Sequence, residues 1–356
     1  MKRRANDDKG PVPLTRLGPG GIAGLMAERR EPAFRAKQVA DWVYKRFARS
    51  FDEMTNLPAA LRADLAREFR VHGVRVAARA VDPDGTAKLA LQLADGEVVE
   101  CVAIPEPSRL TACLSTQAGC GTRCVFCASG LGGLVRNLEP GEIVDQYLEI
   151  GAEVGGPTHV VFMGVGEPLA NYANFMEAVR TLNDPAAAGL GARRMTVSTA
   201  GPPERIRRLA GEGIQVNLAV SLHAPTDELR ARLVPGAKGV RVSELVAAAR
   251  YYTETTGRRV TFEYVAVKGL NTSSALAKGL AVLLGHMRHH LNVIPLNPVK
   301  GLPYERPEEG ELEAFAGELR RAGVHFTLRE PRGSSIGAAC GQLRHEHRSA
   351  KGQARG

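Results

Sequence analysis

The sequence predicts an α/β protein: a largely parallel sheet with helices outside it, preceded by a small helical domain. Three observations carry this. From Leu110 onward, short β-branched and apolar runs alternate with helical stretches, and that alternation means a parallel sheet covered by helices. Polar, glycine-rich segments follow several of these strands at their C-terminal ends, where functional loops gather in α/β barrels. Residues 19–75, by contrast, carry helical patterning with no strand alternation.

Residues 1–18 read as a disordered basic tail with a Pro/Gly-rich lead-in. Arg35 to Arg49 is an amphipathic helix. Val39, Val43 and Phe47 share a stripe with Ala40 and Tyr44, and Lys37, Lys45, Arg46 and Arg49 lie off it. Leu57 to Phe69 is a second helix opening at Pro58, which closes a helical domain over 19–75. Val76 to Val102 alternates around Asp82-Pro-Asp-Gly85, so 76–105 is expected to be a β-hairpin connector.

The main domain, 106–344, holds strand candidates at 110–116, 159–164, 194–199, 216–222, 259–267, 291–296 and 324–329. Helical stretches between them include Pro140–Val154, Ala173–Leu182, Glu204–Glu212 and Ser243–Thr255. An open doubly wound sheet and a barrel or part-barrel both fit this order. No G-x-G-x-x-G follows the first strand, which disfavours a dinucleotide-binding sheet. Residues 345–356 are a second basic tail.

At 356 residues the chain can bury a large core. Net charge is +9, and residues 1–90 hold 18 Lys/Arg against 11 Asp/Glu, so +7 of it lies in that quarter. This asymmetry suggests a polyanion partner, although a solvated basic surface would look the same. Met1 to Gly10 has no apolar signal-peptide core, and no run approaches a membrane span. A cytoplasmic protein with no membrane association is expected.

Six cysteines in so long a chain make no disulfide framework, and four crowd into positions 113–127. Cys120, Cys124 and Cys127 follow the first main strand at the spacing C-x3-C-x2-C, in a glycine-rich loop. Thiolates in such loops hold iron–sulfur clusters. Three ligands for four irons leave one iron open to a small molecule. Cys113, Cys120, Cys124 and Cys127 could instead form an all-thiolate zinc site, but their intervals do not make two C-x2-C knuckles. C-x3-C-x2-C after a first strand resembles the signature of the radical S-adenosylmethionine (SAM) enzymes.

Gly164-Val-Gly-Glu-Pro168, Ser198-Thr-Ala-Gly201, Ser221-Leu-His-Ala-Pro225 and Asn297-Pro298 all fall at the same end as the cysteine loop. Each alone is a routine turn or helix start; together they read as one site. Cys340 stands alone in a glycine-bounded loop, Arg332 to Leu343, and by itself reads as a small buried hydrophobe.

Taken in order, EPAFRAKQVADWVYK, FDEMTNLP, CLSTQAGCGTRCVFC, FMGVGEPLANY, VNLAVSLHAP, RRVTFEYV, NPVKG and AACGQLR resemble the RlmN/Cfr family, the radical SAM methyltransferases of RNA adenine, from about Glu31 to Arg344. The resemblance implies a partial (β/α)6 barrel behind a small helical RNA-binding domain. It implies one 4Fe–4S cluster on Cys120, Cys124 and Cys127, and SAM bound by Gly166, Glu167, Ser198, Ser221, Leu222, His223 and Asn297. It makes Cys340 and Cys113 reactive cysteines and Glu100 a proton acceptor. Two SAM molecules serve each turnover: one methylates Cys340, and the other yields the radical that activates this methyl group for attack on the ring. Cys113 then attacks the Cys340 sulfur and releases methyladenine, leaving a disulfide to be reduced.

The same resemblance implies a monomer acting on ribosomal RNA, with transfer RNA as a second target and flavodoxin or ferredoxin as electron donor. The N-terminal region favours C2 of adenine. C8 methylation, or a non-catalytic RNA-binding protein with a structural metal cluster, are the alternatives. Two departures stand out: Arg232-Leu-Val-Pro-Gly-Ala-Lys-Gly239 lacks the family's Ile-Asn-Lys/Arg after its proline, and Ser334-Ser335 replaces an acidic pair.

Overall fold

The computed structural model describes residues 10–285 and 287–343. The expected 345–356 tail and half of the 1–18 tail lie outside these residues. What is described of the latter is ordered. Strand β1 (Val12–Pro13) pairs in parallel with β2 (Phe69–Arg70), and Leu14, just after β1, is fully buried. The tail expectation therefore ends too late. The apolar Leu14 and Leu17 weigh more than the surrounding glycines and prolines, because the helical domain needs them to cover its core.

That domain comprises helices α1 (Gly18–Glu28), α2 (Phe34–Tyr44) and α3 (Ala59–Glu68). Val39, Ala40, Val43 and Tyr44 of α2 face inward, and their core is continuous with that of the main domain. Strands β3 (Arg75–Val81) and β4 (Ala87–Gln92) turn through Gly85, whose φ of +85° suits glycine. They are not a separate hairpin connector. Strand β4 also pairs with β5 (Val98–Glu106), and β5 with β6 (Arg109–Cys113). A hairpin's third partner cannot be read from local alternation, since it is set by long-range pairing.

Beyond β6, a short pair, β7 (Gln117–Gly119) and β8 (Leu134–Asn137), brackets the cysteine loop. Six β/α units then follow the chain. They are β6 with α4 (Pro140–Glu153), β9 (His159–Phe162) with α5 (Tyr172–Asn183), and β10 (Met195–Thr199) with α6 (Pro203–Ala210). Next come β11 (Asn217–Ser221) with α7 (Asp227–Leu233) and α8 (Val242–Thr256), and β12 (Val260–Ala266) with α9 (Ser274–Leu284). The sixth is β13 (His289–Pro295) with α10 (Glu309–Arg321), and β14 (Phe326–Leu328) ends the series.

The sheet order is β14-β13-β12-β11-β10-β9-β6-β5-β4-β3, parallel from β14 to β6 and antiparallel beyond. It is a partial (β/α)6 barrel extended by three antiparallel strands. Helix α4 shows how the sequence stops and starts these elements. Glu139 and Glu142 form a reciprocal capping box around Pro140, which needs no N–H at a helix start.

Candidate active site

The cysteine loop leaves β7 through Gly119, where φ is +73° and any Cβ would collide with the carbonyl oxygen of Gly133. The Cys120 N–H donates to that same oxygen at 2.9 Å, so the returning strand β8 clasps the loop. On its other side the Val125 N–H donates to Leu233 O at 3.0 Å, and the Gly236 N–H to Thr122 O at 2.8 Å. The loop is thus held on both flanks by backbone.

Cys120 is buried, Cys124 and Cys127 are half-buried, and each sulfur lies in the field of the other two. Burial pushes the Cys124 and Cys127 thiols up. At Cys127 the amides of Ser129 and Gly130 oppose this by pointing toward the sulfur. Such thiols give up their protons to a metal and not to water. Among the described residues no three His, Cys, Asp or Glu side chains converge as ligands of one ion. A cubane cluster would take each thiolate on a separate iron, so its ligands need not converge on one ion. The donor set, with amides aimed at sulfur, fits a 4Fe–4S cluster.

The rim is built by the strand ends. Gly166, at φ +111°, leaves no room for a Cβ, which would lie 2.6 Å from that of Gln117. Glu167 turns inward: its carboxylate accepts from Thr199 Oγ1 at 2.7 Å and from the N–H groups of Ala200 and Leu169 at 2.8 and 3.0 Å. Burial raises its pKa to about 7. The side chain is occupied in tying β9 to β10, so only its backbone remains for a ligand. Ser198 and Ser221 hydroxyls sit 3.4 Å apart at the ends of β10 and β11.

Leu222 is fully buried and can offer only backbone. His223 has φ +59°, and its Nδ1 accepts from the Val265 N–H at 3.1 Å, which leaves Nε2 as the protonated nitrogen. Burial, with help from the Arg230 charge, pushes its pKa down to about 3, so it is neutral. Asn297 donates from Nδ2 to the Cys340 carbonyl oxygen at 3.1 Å, which places the C-terminal loop at the end of β13.

That loop closes over the site. The Ala128 N–H donates to Gly341 O at 2.7 Å and Ser129 Oγ to Leu343 O at 2.6 Å, stitching it to the cysteine loop. Ala338 and Leu343 pack with Cys113. Cys340 is exposed toward solvent but ringed by enough protein that its thiol is pushed up by desolvation, with Glu263, Arg329 and Cys127 as its charged surroundings. Cys113, at the end of β6, is buried. Desolvation and the charge of Cys340 push it up to about 12. All six cysteines are free, so no disulfide is present.

Glu100, buried on β5, pairs with Lys88 Nζ at 3.0 Å, and the same ammonium donates to Gly337 O at 3.3 Å. Lys88 is one of three residues that sequence reasoning missed, with Glu263 and Arg230. Each sits inside an apparently ordinary strand or helix and gains its meaning only from long-range neighbours. Both departures also acquire a cause. At Gly236 a Cβ would meet the backbone of Gly121 and Thr122, so the glycine permits a close approach to the cysteine loop. Ser335 donates from its N–H and Oγ to Asp82 Oδ2 at 3.1 and 2.5 Å, where an acidic side chain would repel that carboxylate.

Residues 14–71 match the family model of the ribosomal RNA large subunit methyltransferase N-terminal domain, and residues 114–276 that of the radical SAM superfamily. Over 92% of its length the chain is 43% identical to a protein of Rhodopirellula baltica described as "probable dual-specificity RNA methyltransferase RlmN", covering 89% of it. A Thermotoga maritima protein of the same description is 44% identical, with 91% of this chain and 93% of that one covered. The crystal structure of a radical SAM methyltransferase from Sphaerobacter thermophilus superposes with a TM-score of 0.90 at 44% identity, over 94% of this chain and all of that one. A cysteine loop fit for an iron–sulfur cluster, on a barrel of this form behind this N-terminal domain, marks the chain as a member of the RlmN family of radical SAM RNA methyltransferases.

Proposed function

We propose that this methyltransferase places its methyl group on C2 of a specific adenine of ribosomal RNA, through a methyl group first carried on Cys340. The observation that carries this reading is the packing of Cys113 with Ala338 and Leu343 of the segment that bears Cys340, and the hydrogen bonding of that segment to the cysteine loop. Cys120, Cys124 and Cys127 would hold one 4Fe–4S cluster. Backbone at Gly166, Glu167 and Leu222, with Ser198, Ser221, His223 and Asn297, would hold SAM, used twice per turnover. When bound, these groups supply the one-electron chemistry that an electron-poor ring carbon requires.

The chain's own residues do the rest. Cys340, reachable from solvent, accepts the methyl group and presents it to the base. Once the S-methyl group has lost one hydrogen atom to that one-electron chemistry and its carbon bridges the Cys340 sulfur and C2, the adduct would return one electron to the bound group while Glu100 takes the ring proton. The Cys113 sulfur then attacks that of Cys340; an S–S bond forms, the S–C bond breaks, and its electron pair and a proton complete the methyl group. Burial of Cys113 supports this order. Desolvation pushes the Cys113 thiol up to about 12, so it is held as a protonated thiol until the adduct reaches it.

The helical domain supplies the RNA contact through its excess of cations. No helix among the described residues is long and apolar enough to cross a membrane, and an RNA substrate supports a cytoplasmic location. The relatives are described as probable dual-specificity RNA methyltransferases, which supports a second RNA target, and we assign that target to transfer RNA. We assign a monomer, with a flavodoxin or ferredoxin as electron source. Mass spectrometry of RNA nucleosides from cells with and without the gene tests the reading: 2-methyladenosine should disappear with the gene, and loss of 8-methyladenosine instead would overturn the C2 assignment.

A further inference from the structure

The bulkiest fully buried side chain among the described residues is an arginine, Arg230, 1% exposed on α7. One nitrogen is accounted for: Nη2 donates to Ala200 O at 2.5 Å and Ser221 O at 3.2 Å, at the ends of β10 and β11. Nε and Nη1 are buried and have no protein partner. The acids in its field do not pair with it. Glu167 spends its oxygens on Thr199, Ala200 and Leu169, and Asp227 accepts from the Val242 N–H at 2.6 Å. A buried guanidinium with two idle donors and no ion pair is strongly disfavoured unless an anion that these residues do not include completes it.

The place of that anion is set by the packing. Leu233, on the same short helix, accepts from the Val125 N–H, and Cys124, Cys127 and Leu229 all pack against the apolar cluster that contains Leu233. Cys124, with Asp227 and Glu167, is a group whose ionised form would act on the Arg230 charge. We propose that Arg230 is the counter-charge of the cysteine loop: its idle N–H groups complete the anionic iron–sulfur group at Cys124 and favour the form carrying one more electron. This rests on the cluster assignment above.

Arg230→Met, Arg230→Gln and Arg230→Lys test it, with anaerobic iron and sulfide analysis and an EPR-monitored redox titration by chemical reductant, without SAM. Loss of the charge in the Met and Gln variants should reduce the equilibrium constant for reduction at least tenfold, a potential lower by about 60 mV for one electron. Lys should restore more than half of that. If the neutral variants fold by circular dichroism yet hold no iron while Lys holds it, the charge requirement also stands. A wild-type potential in Arg230→Met, with or without weakened SAM binding, would overturn the proposal. So would equal shifts in the Lys and Met variants, or iron loss in all three, because the guanidinium would then be a clamp for β10 and β11. Wild-type protein without iron would sink the cluster assignment itself, a separate outcome.

Discussion

At the scale of single residues, the two cysteines proposed to react differ in surroundings, Cys113 buried and Cys340 exposed, and the proposal gives them separate phenotypes. Cys340→Ala should acquire no methyl group from SAM and form no bond to RNA. Cys113→Ala should still be methylated, attack the base and stall with RNA attached through Cys340. A denaturing gel after anaerobic incubation with SAM, reductant and RNA reads this directly: a shifted band for Cys113→Ala must vanish in the double variant. If both were packing residues, the alanine at Cys113 would cost only the stability of a small buried side chain and that at exposed Cys340 less, and neither would give a band.

Glu263 supports a second test at this scale. Burial raises its pKa to about 7, against the opposing Asn292 hydrogen bond at 3.0 Å and the Arg329 charge, in the neighbourhood of Cys340. The folded state binds this proton more tightly than the unfolded chain does. Stability from the neutral form is therefore complete below about 4.5 and is lost as pH rises through 7. Glu263→Gln should match wild type near pH 5 and exceed it near pH 8, by at most about 3 kcal/mol on the linkage of 1.36 kcal/mol per pH unit. Urea unfolding of iron-free protein at both pH values checks it, and a difference that does not change with pH would count against the assignment.

At the scale of elements, the cysteine loop depends on the short segment after α7. Gly236→Ala would press a Cβ into the backbone of Gly121 and Thr122, at 2.6 Å from Thr122 Cα, where no side chain can swing aside. Overpacking of this kind costs about 1–3 kcal/mol, and here it is delivered to the loop bearing the three cysteines. The variant should stay folded but hold less than half the wild-type iron after anaerobic reconstitution. Gly239→Ala, in the same segment with nothing near its Cβ position, should hold the full amount. Equal iron in both would show that the close approach at Gly236 has no bearing on the loop.

At the scale of the whole molecule, the helical domain is docked by a buried polar network as well as by a shared core. His72 Nδ1 lies 2.6 Å from Glu149 Oε1, Arg49 pairs with Glu149 at 2.6 Å and with Glu153 at 2.7 Å, and the Gly73 N–H donates to Asp145 at 2.7 Å. Removing the domain would strand these groups on α4, so its proposed RNA-binding role is better probed on its surface. Lys37 and Arg46 are exposed and form no ion pair among the described residues, with Arg46 stacked on Trp42. The double variant Lys37→Ala/Arg46→Ala should bind RNA more weakly, with a salt dependence shallower by about one for each phosphate left without its cation. An unchanged slope would place the RNA elsewhere.

The sequence by itself determined the chemistry-bearing parts and the kind of scaffold. Three cysteines at a cluster-binding spacing, the periodicity of strands and helices, and the polar segments after them are local features, and local features survive in a one-dimensional reading. Only the tertiary structure decided which strands continued the sheet past β6, that Leu14 belonged to the core, and that the Glu167 carboxylate served β10 instead of a ligand. It also decided that Lys88 would meet Glu100, and that Arg230 would be buried with idle donors beside Cys124. Each of these depends on pairing or burial between segments far apart in the chain. A lone Lys or Arg in a strand or helix carries no local mark of its distant partner, because long-range packing assigns that partner.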